Sequence, residues 1–340
     1  MEVVDSQKFI LGPAVDRFEE EVAASLSAGH GIGVASGSDA VLLALMAAGV
    51  GAGSEVIVPA FSFFATASAA VRLGARIVFA DIDVQSFQID PEEVRRRITP
   101  ATRALVIAHL FGDCADMQPI AAMADVHGFL VIEDAAQAFG ARHRQRFAGT
   151  FGFCGCFSFY PTKNLAAMGD GGMVVTHDEA TARRIRLLAT HRRPNRYEHR
   201  VLEINSRLDA LQAAILSVKL RHVPEWNARR KEIAGRYSEG LRGLVALPAP
   251  SEHNDPVFHQ FVIRTPERDR LRSHLAARGV GTEIYYPIPL HLQQGLAPFC
   301  GKPGDCPRAE EVARTCLALP VFPELEDSEV DIVIDAIRGF

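Results

Sequence analysis

The stretch RALVIAHLFGDCADMQPIAAMADVHGFLVIED, residues 103–134, decides the fold class of this chain. It begins with an apolar run, continues as a segment of helical pattern that closes on Gly128, and ends in a second apolar run. Both apolar runs are continuous rather than alternating, which is typical of strands buried on both faces of a sheet. A strand, a helix and a strand in this order predict two parallel strands joined by a crossover helix.

The same alternation continues on the N-terminal side of this unit. Apolar runs that predict strands lie at residues 55–59 (EVIVP) and 75–82 (ARIVFADI). Segments of helical pattern cover residues 16–26, 38–48, 65–74 and 91–98. Polar residues at the carboxyl ends of parallel strands tend to line the ligand site of such a sheet. In this chain those residues are Asp81, Asp83, His109, Glu133 and Asp134.

The pattern changes in the C-terminal third. Residues from about 180 to 237 are mostly helical and rich in arginine, and a proline-rich connection follows at 247–256. Beyond it we predict strands at 259–265 and 280–287, with a helix between them. The sequence therefore predicts an α/β protein. Its large domain, residues 1–236, has a mostly parallel central sheet flanked by helices, and a smaller α+β domain covers residues 237–340.

Composition excludes several classes of function. With 48% hydrophobic residues, 23% charged residues and a net charge of -5, the chain lacks the basic surface that binds nucleic acid. No apolar stretch reaches the length of about 18 residues that a membrane helix needs, and the start has no signal pattern. The six cysteines show no zinc spacing, so we expect free thiols, no metal and a cytoplasmic location.

The segment FSFYPTKNLAAMGDGG, residues 157–172, carries the first candidate for chemistry. Lys163 follows an aromatic run and a proline and precedes glycine-rich sequence. A lysine held there can lose its hydration, which lowers the pKa of its amine and suits Schiff-base chemistry. The alternative is an exposed loop lysine, which is the more common state of this residue type.

The segment VIEDAAQAFGA, residues 131–141, carries the second candidate. Asp134 ends a buried apolar strand, where a carboxylate is unfavourable without a cationic partner. A pyridinium nitrogen is one such partner, and pyridoxal enzymes use an aspartate for this purpose. Alternatively, Asp134 caps the following turn. Gln137 could hydrogen-bond the phenolic oxygen of the same ring.

The segment GVASGSDAVLLAL, residues 33–45, opens a helix at Gly37, Ser38 and Asp39. Free N–H groups at a helix start can hold a phosphate, although an ordinary capping residue would give the same pattern. The glycines miss the G-x-G-x-x-G spacing, which excludes a dinucleotide fingerprint.

Phe63, in PAFSFFATA at residues 59–67, either packs in the core or lies flat against an aromatic ring. A phosphate-holding helix start, an aromatic residue, a strand-end aspartate and a lysine follow one another along the chain. Brought together, they would form a single pyridoxal-phosphate site.

From residues 9–21 (FILGPAVDRFEEE) to residues 317–325 (LALPVFPEL), the chain resembles the DegT/DnrJ/EryC1/StrS sugar aminotransferases. This family is a branch of the fold-type I pyridoxal-phosphate enzymes. The most specific blocks are EDAAQAFGA, FSFYPTKNLAAMGDGG, NSRLDALQAAIL and YYPIPLHLQ. Two features depart from the family pattern. Members usually carry a further segment before the FILGP block, and they usually have glycine at the position of Glu203.

The resemblance implies a role for each matched residue near the cofactor ring. Lys163 would hold pyridoxal 5'-phosphate as a Schiff base and, once freed, move a proton between the substrate carbon and the cofactor. Asp134 would keep the ring nitrogen protonated, Gln137 would contact the ring hydroxyl and Phe63 would stack on the ring. The phosphate would be bound by Ser158 and Ser38 and by the backbone of Gly37 and Asp39.

The resemblance also implies a homodimer with shared active sites, because Asn205 would reach the phosphate of the neighbouring subunit. His109 would lie near the cofactor. Tyr285, Tyr286 and His291 would lie near the sugar and its diphosphate. An outward-facing Tyr285 stays open as an alternative, since alternate residues of a strand face opposite sides.

The reaction that the resemblance implies has two halves. An amino acid, by family habit L-glutamate, gives its amine to the cofactor, and a nucleotide-linked keto-sugar then takes it, with C3 weakly preferred over C4. One alternative is a dehydratase of the same fold, which has histidine where this chain has Lys163. The other is a non-catalytic regulator or scaffold that binds the same cofactor.

Overall fold

The computed structural model describes residues 2–190, 202–297, 299 and 301–340. Its α-helices are α1 (Glu2–Ser6), α2 (Pro13–Ser25), α3 (Gly37–Ala47), α4 (Ala65–Arg72), α5 (Pro91–Arg97), α6 (Met117–His127), α7 (Glu179–Thr190), α8 (Ala210–Leu220), α9 (Val223–Gly240), α10 (Arg268–Ala276), α11 (Pro307–Thr315) and α12 (Asp327–Arg338). Its strands are β1 (His30–Val34), β2 (Glu55–Pro59), β3 (Arg76–Ala80), β4 (Thr102–Ala108), β5 (Leu130–Asp134), β6 (Arg142–His143), β7 (Arg146–Phe147), β8 (Cys154–Ser158), β9 (Gly172–Thr176), β10 (Asn254–Asp255), β11 (Phe261–Arg264) and β12 (Cys316–Leu319).

The central sheet has the strand order β1-β9-β8-β5-β4-β2-β3 in the described part of the chain. Strands β3, β2, β4, β5 and β8 run parallel, whereas β9 is antiparallel to both β8 and β1. The mostly parallel sheet is confirmed. The antiparallel edge formed by β1 and β9 was not predicted, because glycine is depleted in strands and three of these positions are glycine. Those glycines permit close packing, since a Cβ on Gly172 would lie 2.4 Å from the carbonyl carbon of Ser36.

Both faces of this sheet are covered by helices, as its continuous apolar strands predicted. Helix α3 is apolar all round and packs on β8 and β9 beside α4 and α7. On the other face, Ile57 of β2 and Ile107 of β4 pack with Met117 and Ile120 of α6. The large domain is thus a sheet between two helical layers.

The C-terminal part is built on the antiparallel pair of β11 and β12, which packs with α9, α10 and α12. The predicted strand at 280–287 is wrong, because only Glu283 pairs there, through an isolated bridge to Ala318. Pro287 and Pro289 lack the N–H groups that a ladder needs. The division into residues 1–236 and 237–340 stays a prediction, and its boundary lies inside α9.

Three further findings complete the description. Residues 191–201, in the arginine-rich region predicted to be helical, lie outside the described residues. No described helix is long and apolar enough to cross a bilayer. Cys300 lies outside the described residues. The other five cysteines are buried free thiols: Cys114, Cys154, Cys156, Cys306 and Cys316.

Candidate active site

A cavity of about 580 Å³ opens where β4, β5 and β8 end beside the start of α3. It brings together most of the residues singled out in the sequence: Gly37, Ser38, Phe63, His109, Asp134, Gln137, Ser158, Lys163, Tyr285 and Tyr286. Other lining residues were not predicted, namely Ser36, Ser62, Tyr160, Asp170, His259 and Gln260. Tyr285 and Tyr286 both line the cavity.

Lys163 lies in the turn region between β8 and β9. Burial lowers the pKa of its amine to about 8, and the negative charge of Asp134 opposes this shift. His259 lines the same cavity and is buried. Burial, together with the charges of Lys163 and Arg230, lowers the pKa of His259 and keeps its imidazole neutral. The site therefore holds a lysine that is partly a free amine near neutral pH, which is the state that attacks a carbonyl group.

Asp134 stands at the carboxyl end of β5, inside the cavity. Its Oδ2 accepts a hydrogen bond of 2.7 Å from the hydroxyl of Thr66, and its Oδ1 accepts one of 3.2 Å from the backbone N–H of Ala136. Burial raises the pKa of Asp134, while these two donors and the nearby Lys163 lower it. The carboxylate is thus held by neutral donors, and a cationic group of a ligand would compensate its buried charge.

Gln137 presents its amide nitrogen to the cavity. Its Oε1 accepts the backbone N–H of Phe111 at 2.7 Å, which fixes the orientation of the amide. Its Nε2 donates to the hydroxyl of Tyr286 at 3.0 Å. Burial raises the pKa of Tyr286, so this hydroxyl stays neutral. The amide can therefore donate to a ligand oxygen from the same side as Tyr286.

The start of α3 meets the end of β8 at a close approach. A Cβ on Gly37 would lie 2.6 Å from the Cβ of Ser158, so only glycine allows the two elements to meet. Gly37, Ser38 and Ser158 then form one polar wall at a helix N-terminus, where an anion is favoured. Asp39 is not part of this wall. The helix begins one residue earlier than predicted. The hydroxyl of Ser36, which caps the helix, accepts a hydrogen bond of 3.1 Å from the backbone N–H of Asp39.

Besides Asp39, two predicted residues lie away from the cavity. Asn205 is exposed and lines a separate surface pocket of about 460 Å³ with Arg207 and Asp170. His291 is completely buried, with Nε2 at 3.2 Å from Glu310 and its ring against Phe79. The expectation that His291 contacts the sugar is therefore not met, because the 3-10 turn at Leu290–Leu292 directs it into the protein.

Of the five polar residues that were expected at the carboxyl ends of strands to line the site, only His109 and Asp134 line the cavity. Asp81 instead accepts the N–H groups of Arg308 and Ala309 at the start of α11. The carboxylate of Asp83 stabilises the turn that follows it, because it accepts hydrogen bonds from the backbone N–H groups of residues 85 and 86. Glu133 points to the opposite side of the strand, completely buried, and accepts three backbone N–H groups besides the Nε2 of His109 at 2.8 Å. Three of these five polar residues thus stabilise the fold, and two line the cavity.

The donor set fits a phosphorylated pyridine aldehyde. The free amine of Lys163 could react with the carbonyl, and the buried carboxylate of Asp134 could pair with a protonated ring nitrogen. The amide N–H of Gln137 could donate to the phenolic oxygen, and the wall at Gly37 could hold the phosphate. Phe63 and Tyr286, with ring centroids 6.2 Å apart, supply aromatic surface for the ring. The described residues contain no cluster of three His, Cys, Asp or Glu side chains that could hold a metal ion.

Comparison with known proteins agrees with this site. The model of the DegT/DnrJ/EryC1/StrS aminotransferase family matches residues 1–338. A pleiotropic regulatory protein of Geobacillus stearothermophilus is 47% identical over 343 residues, covering 100% of this chain and 92% of that protein. The dTDP-3-amino-3,4,6-trideoxy-alpha-D-glucose transaminase of Streptomyces venezuelae is 45% identical over 338 residues, covering 99% of this chain and 89% of that protein.

A solved structure is equally similar. The crystal structure of Streptomyces venezuelae DesV in complex with a ketimine intermediate superposes with a TM-score of 0.97 at 45% identity, covering 99% of this chain and 92% of the other. The fold class and the family that the sequence predicted are therefore confirmed. The chain belongs to the DegT/DnrJ/EryC1/StrS aminotransferase family and is a pyridoxal-phosphate-dependent aminotransferase.

Proposed function

We propose that this enzyme moves an amino group from L-glutamate to C3 of a nucleotide-linked keto-sugar. The observation that carries the proposal is the desolvated amine of Lys163 in one cavity with the carboxylate of Asp134. The position on the sugar is supported by the relative from Streptomyces venezuelae, whose name describes a 3-amino sugar nucleotide.

Each half of the reaction requires a proton to leave one carbon and reach another. When bound, pyridoxal phosphate supplies an electron-withdrawing ring. Lys163 holds the moving proton at Nζ, because its pKa of about 8 lets the amine accept and release it near neutral pH. Asp134 keeps its negative charge against the ring nitrogen, and Gln137 orients the ring through its Nε2.

The site has room for an extended acceptor. A second cavity of about 700 Å³ adjoins the first, and Thr162, Lys163, His259, Gln260 and Tyr285 line both. Each cavity by itself is within the usual range of small-molecule sites, about 300–1,000 Å³. Two adjoining cavities can hold a sugar beside Lys163 and the larger nucleotide portion farther out.

We also propose that two subunits share each site. Asn205 is exposed and separated from its own cavity, yet Asp170 lines both the cavity and the pocket that contains Asn205. A second copy of the chain could place its Asn205 at the wall formed by Gly37, Ser38 and Ser158. Sedimentation of the holoenzyme should therefore give a dimer, and Asn205→Ala should weaken cofactor binding without changing the mass of the particle.

A panel of nucleotide-linked keto-sugars tests the substrate. Each is incubated with the holoenzyme and ¹⁵N-labelled L-glutamate, and the product is analysed by mass spectrometry and NMR. The proposal predicts that the label appears on C3 of at least one 3-keto sugar nucleotide. Label on C4 alone would overturn the position. No label on any of the sugars would instead support a regulatory role; the relative from Geobacillus stearothermophilus is named a pleiotropic regulatory protein.

A further inference from the structure

Two hydroxyl groups, those of Thr66 and Ser62, are hydrogen-bonded in series to the carboxylate of Asp134. The side chains of Thr66 and Ser62 are buried, 0% and 4% exposed, on the N-terminal side of α4. The hydroxyl of Thr66 lies 2.7 Å from Oδ2 of Asp134, and the hydroxyl of Ser62 lies 2.9 Å from that of Thr66. Local sequence pattern does not predict these contacts, because Thr66 and Asp134 are 68 residues apart along the chain.

The direction of both hydrogen bonds follows from the number of hydrogens. An ionised carboxylate only accepts, so Thr66 donates its single hydroxyl hydrogen to Asp134. The oxygen of Thr66 is then left to accept, and Ser62 donates to it. Hydrogen bonds in series polarise one another, which makes Thr66 a better donor to a charged oxygen than an isolated hydroxyl.

The remaining neighbours supply little positive charge to Asp134. His109 is neutral: its Nδ1 accepts the N–H of Ala115 at 3.1 Å, so its Nε2 carries the hydrogen that it shares with Glu133. Tyr286 and Cys156 face the carboxylate as neutral groups, since burial raises the pKa of each. Lys163 lowers the pKa of Asp134 by its charge more than His109 does, and His109 acts in the same direction only when it is protonated; both line the cavity.

Attachment of the cofactor would turn the free amine of Lys163 into an imine nitrogen and would place the ring nitrogen beside Asp134. Two hydrogen bonds from the protein would then hold the carboxylate in place, from Thr66 to Oδ2 and from the N–H of Ala136 to Oδ1. Of these the Thr66 bond is the shorter, and it lies on the opposite oxygen from the backbone donor. Together they fix the plane of the carboxylate, which lines the cavity.

We propose that Thr66 is a positioning residue: supported by Ser62, its hydroxyl keeps Asp134 ionised and oriented, so that the ring nitrogen of bound pyridoxal phosphate stays protonated. This inference rests on the proposed pairing of Asp134 with the ring nitrogen. Without the hydroxyl, burial would raise the pKa of Asp134 further, and a protonated carboxyl group would no longer hold the proton of the ring.

The test compares Thr66→Val, which keeps the shape and removes the donor, with Thr66→Ser, which keeps the donor. The equilibrium constant for pyridoxal phosphate is measured across pH by titration of the apoprotein, without amino acid or sugar. A hydrogen bond to a charged group corresponds to about 10- to 100-fold in binding, so Thr66→Val should weaken binding by that factor and Thr66→Ser by less than about 5-fold. Ser62→Ala, which removes only the outer hydroxyl, should fall between them.

A cofactor analogue with carbon in place of the ring nitrogen gives the matched control. It offers no N–H to Asp134, so Thr66→Val should change its binding by less than about 2-fold, whereas a general loss of packing would weaken both cofactors equally. Equal effects on both cofactors, or unchanged binding of pyridoxal phosphate to Thr66→Val, would overturn the inference. If Asp134→Asn also binds pyridoxal phosphate normally, the assignment of Asp134 itself fails, which separates the two outcomes.

Discussion

The pKa of Lys163 is the quantity on which the chemistry of the site depends most directly. Burial lowers it from 10.5 to about 8. At pH 7 a lysine of pKa 8 is about 10% free amine, whereas one of pKa 10.5 is roughly 0.03% free amine, a difference of about 300-fold in the reactive form. This factor would apply to every step that begins with the unprotonated amine, including capture of the cofactor.

Trace labelling measures this pKa at a single residue. The apoprotein is treated with a small amount of acetic anhydride over a range of pH, and acetylation of the peptide that contains Lys163 is measured by mass spectrometry. We expect the labelling rate to rise with a midpoint near pH 8. Because Asp134 raises the pKa of Lys163, Asp134→Asn should move the midpoint to lower pH.

A matched variant and an unfolded reference control this measurement. Asp170 lines the same cavity but is not among the charges that act on Lys163, so Asp170→Asn should leave the midpoint in place. The same peptide labelled in urea should show a midpoint near the ordinary lysine value. A midpoint near 10.5 in the folded apoprotein would refute the reasoning, because Lys163 would then be hydrated.

Three further predictions follow from the contacts around the site. Gly37→Ala should weaken cofactor binding at least about 10-fold in a spectroscopic titration, because its Cβ would meet that of Ser158, while Gly235→Ala, with nothing within 4 Å, should bind normally. Asp81→Asn should lower the free energy of unfolding in urea by about 1–3 kcal/mol, since Asp81 is buried and accepts two N–H groups at the start of α11, whereas the exposed Asp83→Asn should cost less than about 1 kcal/mol. Lys163→Met should stabilise the apoprotein at pH 7 by about 1–3 kcal/mol, because it removes a buried ammonium group. The difference should disappear as the pH rises from about 8 to 10.5, since in that range the unfolded wild-type chain binds more protons than the folded one and the wild type gains stability. Equal stabilisation by the substitution at all pH values would contradict this prediction.

The sequence predicted the centre of the site well and its surroundings less well. Lys163, Asp134, Gln137 and Ser158 belong to blocks whose residue order resembles a known family, and the structure places all four in one cavity. Thr66 was missed because its contact with Asp134 spans 68 residues along the chain. Local pattern carries no information about such a contact.

Three other differences between prediction and structure arise from packing around single elements. Asp39 was expected at a phosphate, but a shift of one residue in the helix start gives its N–H to Ser36. His291 was expected at the sugar, but a 3-10 turn after Pro289 buries it. Strands β1 and β9 were missed because their glycines, required by close packing, hide the apolar pattern. Tertiary packing rather than propensity decides each of these positions.

A single-turnover reaction with L-glutamate tests the central claim most directly. The holoenzyme is mixed with excess L-glutamate and no sugar, and the absorption of the Lys163-bound cofactor is followed while 2-oxoglutarate is counted. We predict that the bound form disappears and that one 2-oxoglutarate forms per active site, with neither change in Lys163→Ala. Persistence of the original spectrum in the wild-type holoenzyme, with no keto acid released by any common amino donor, would contradict the assignment of this chain as a working aminotransferase.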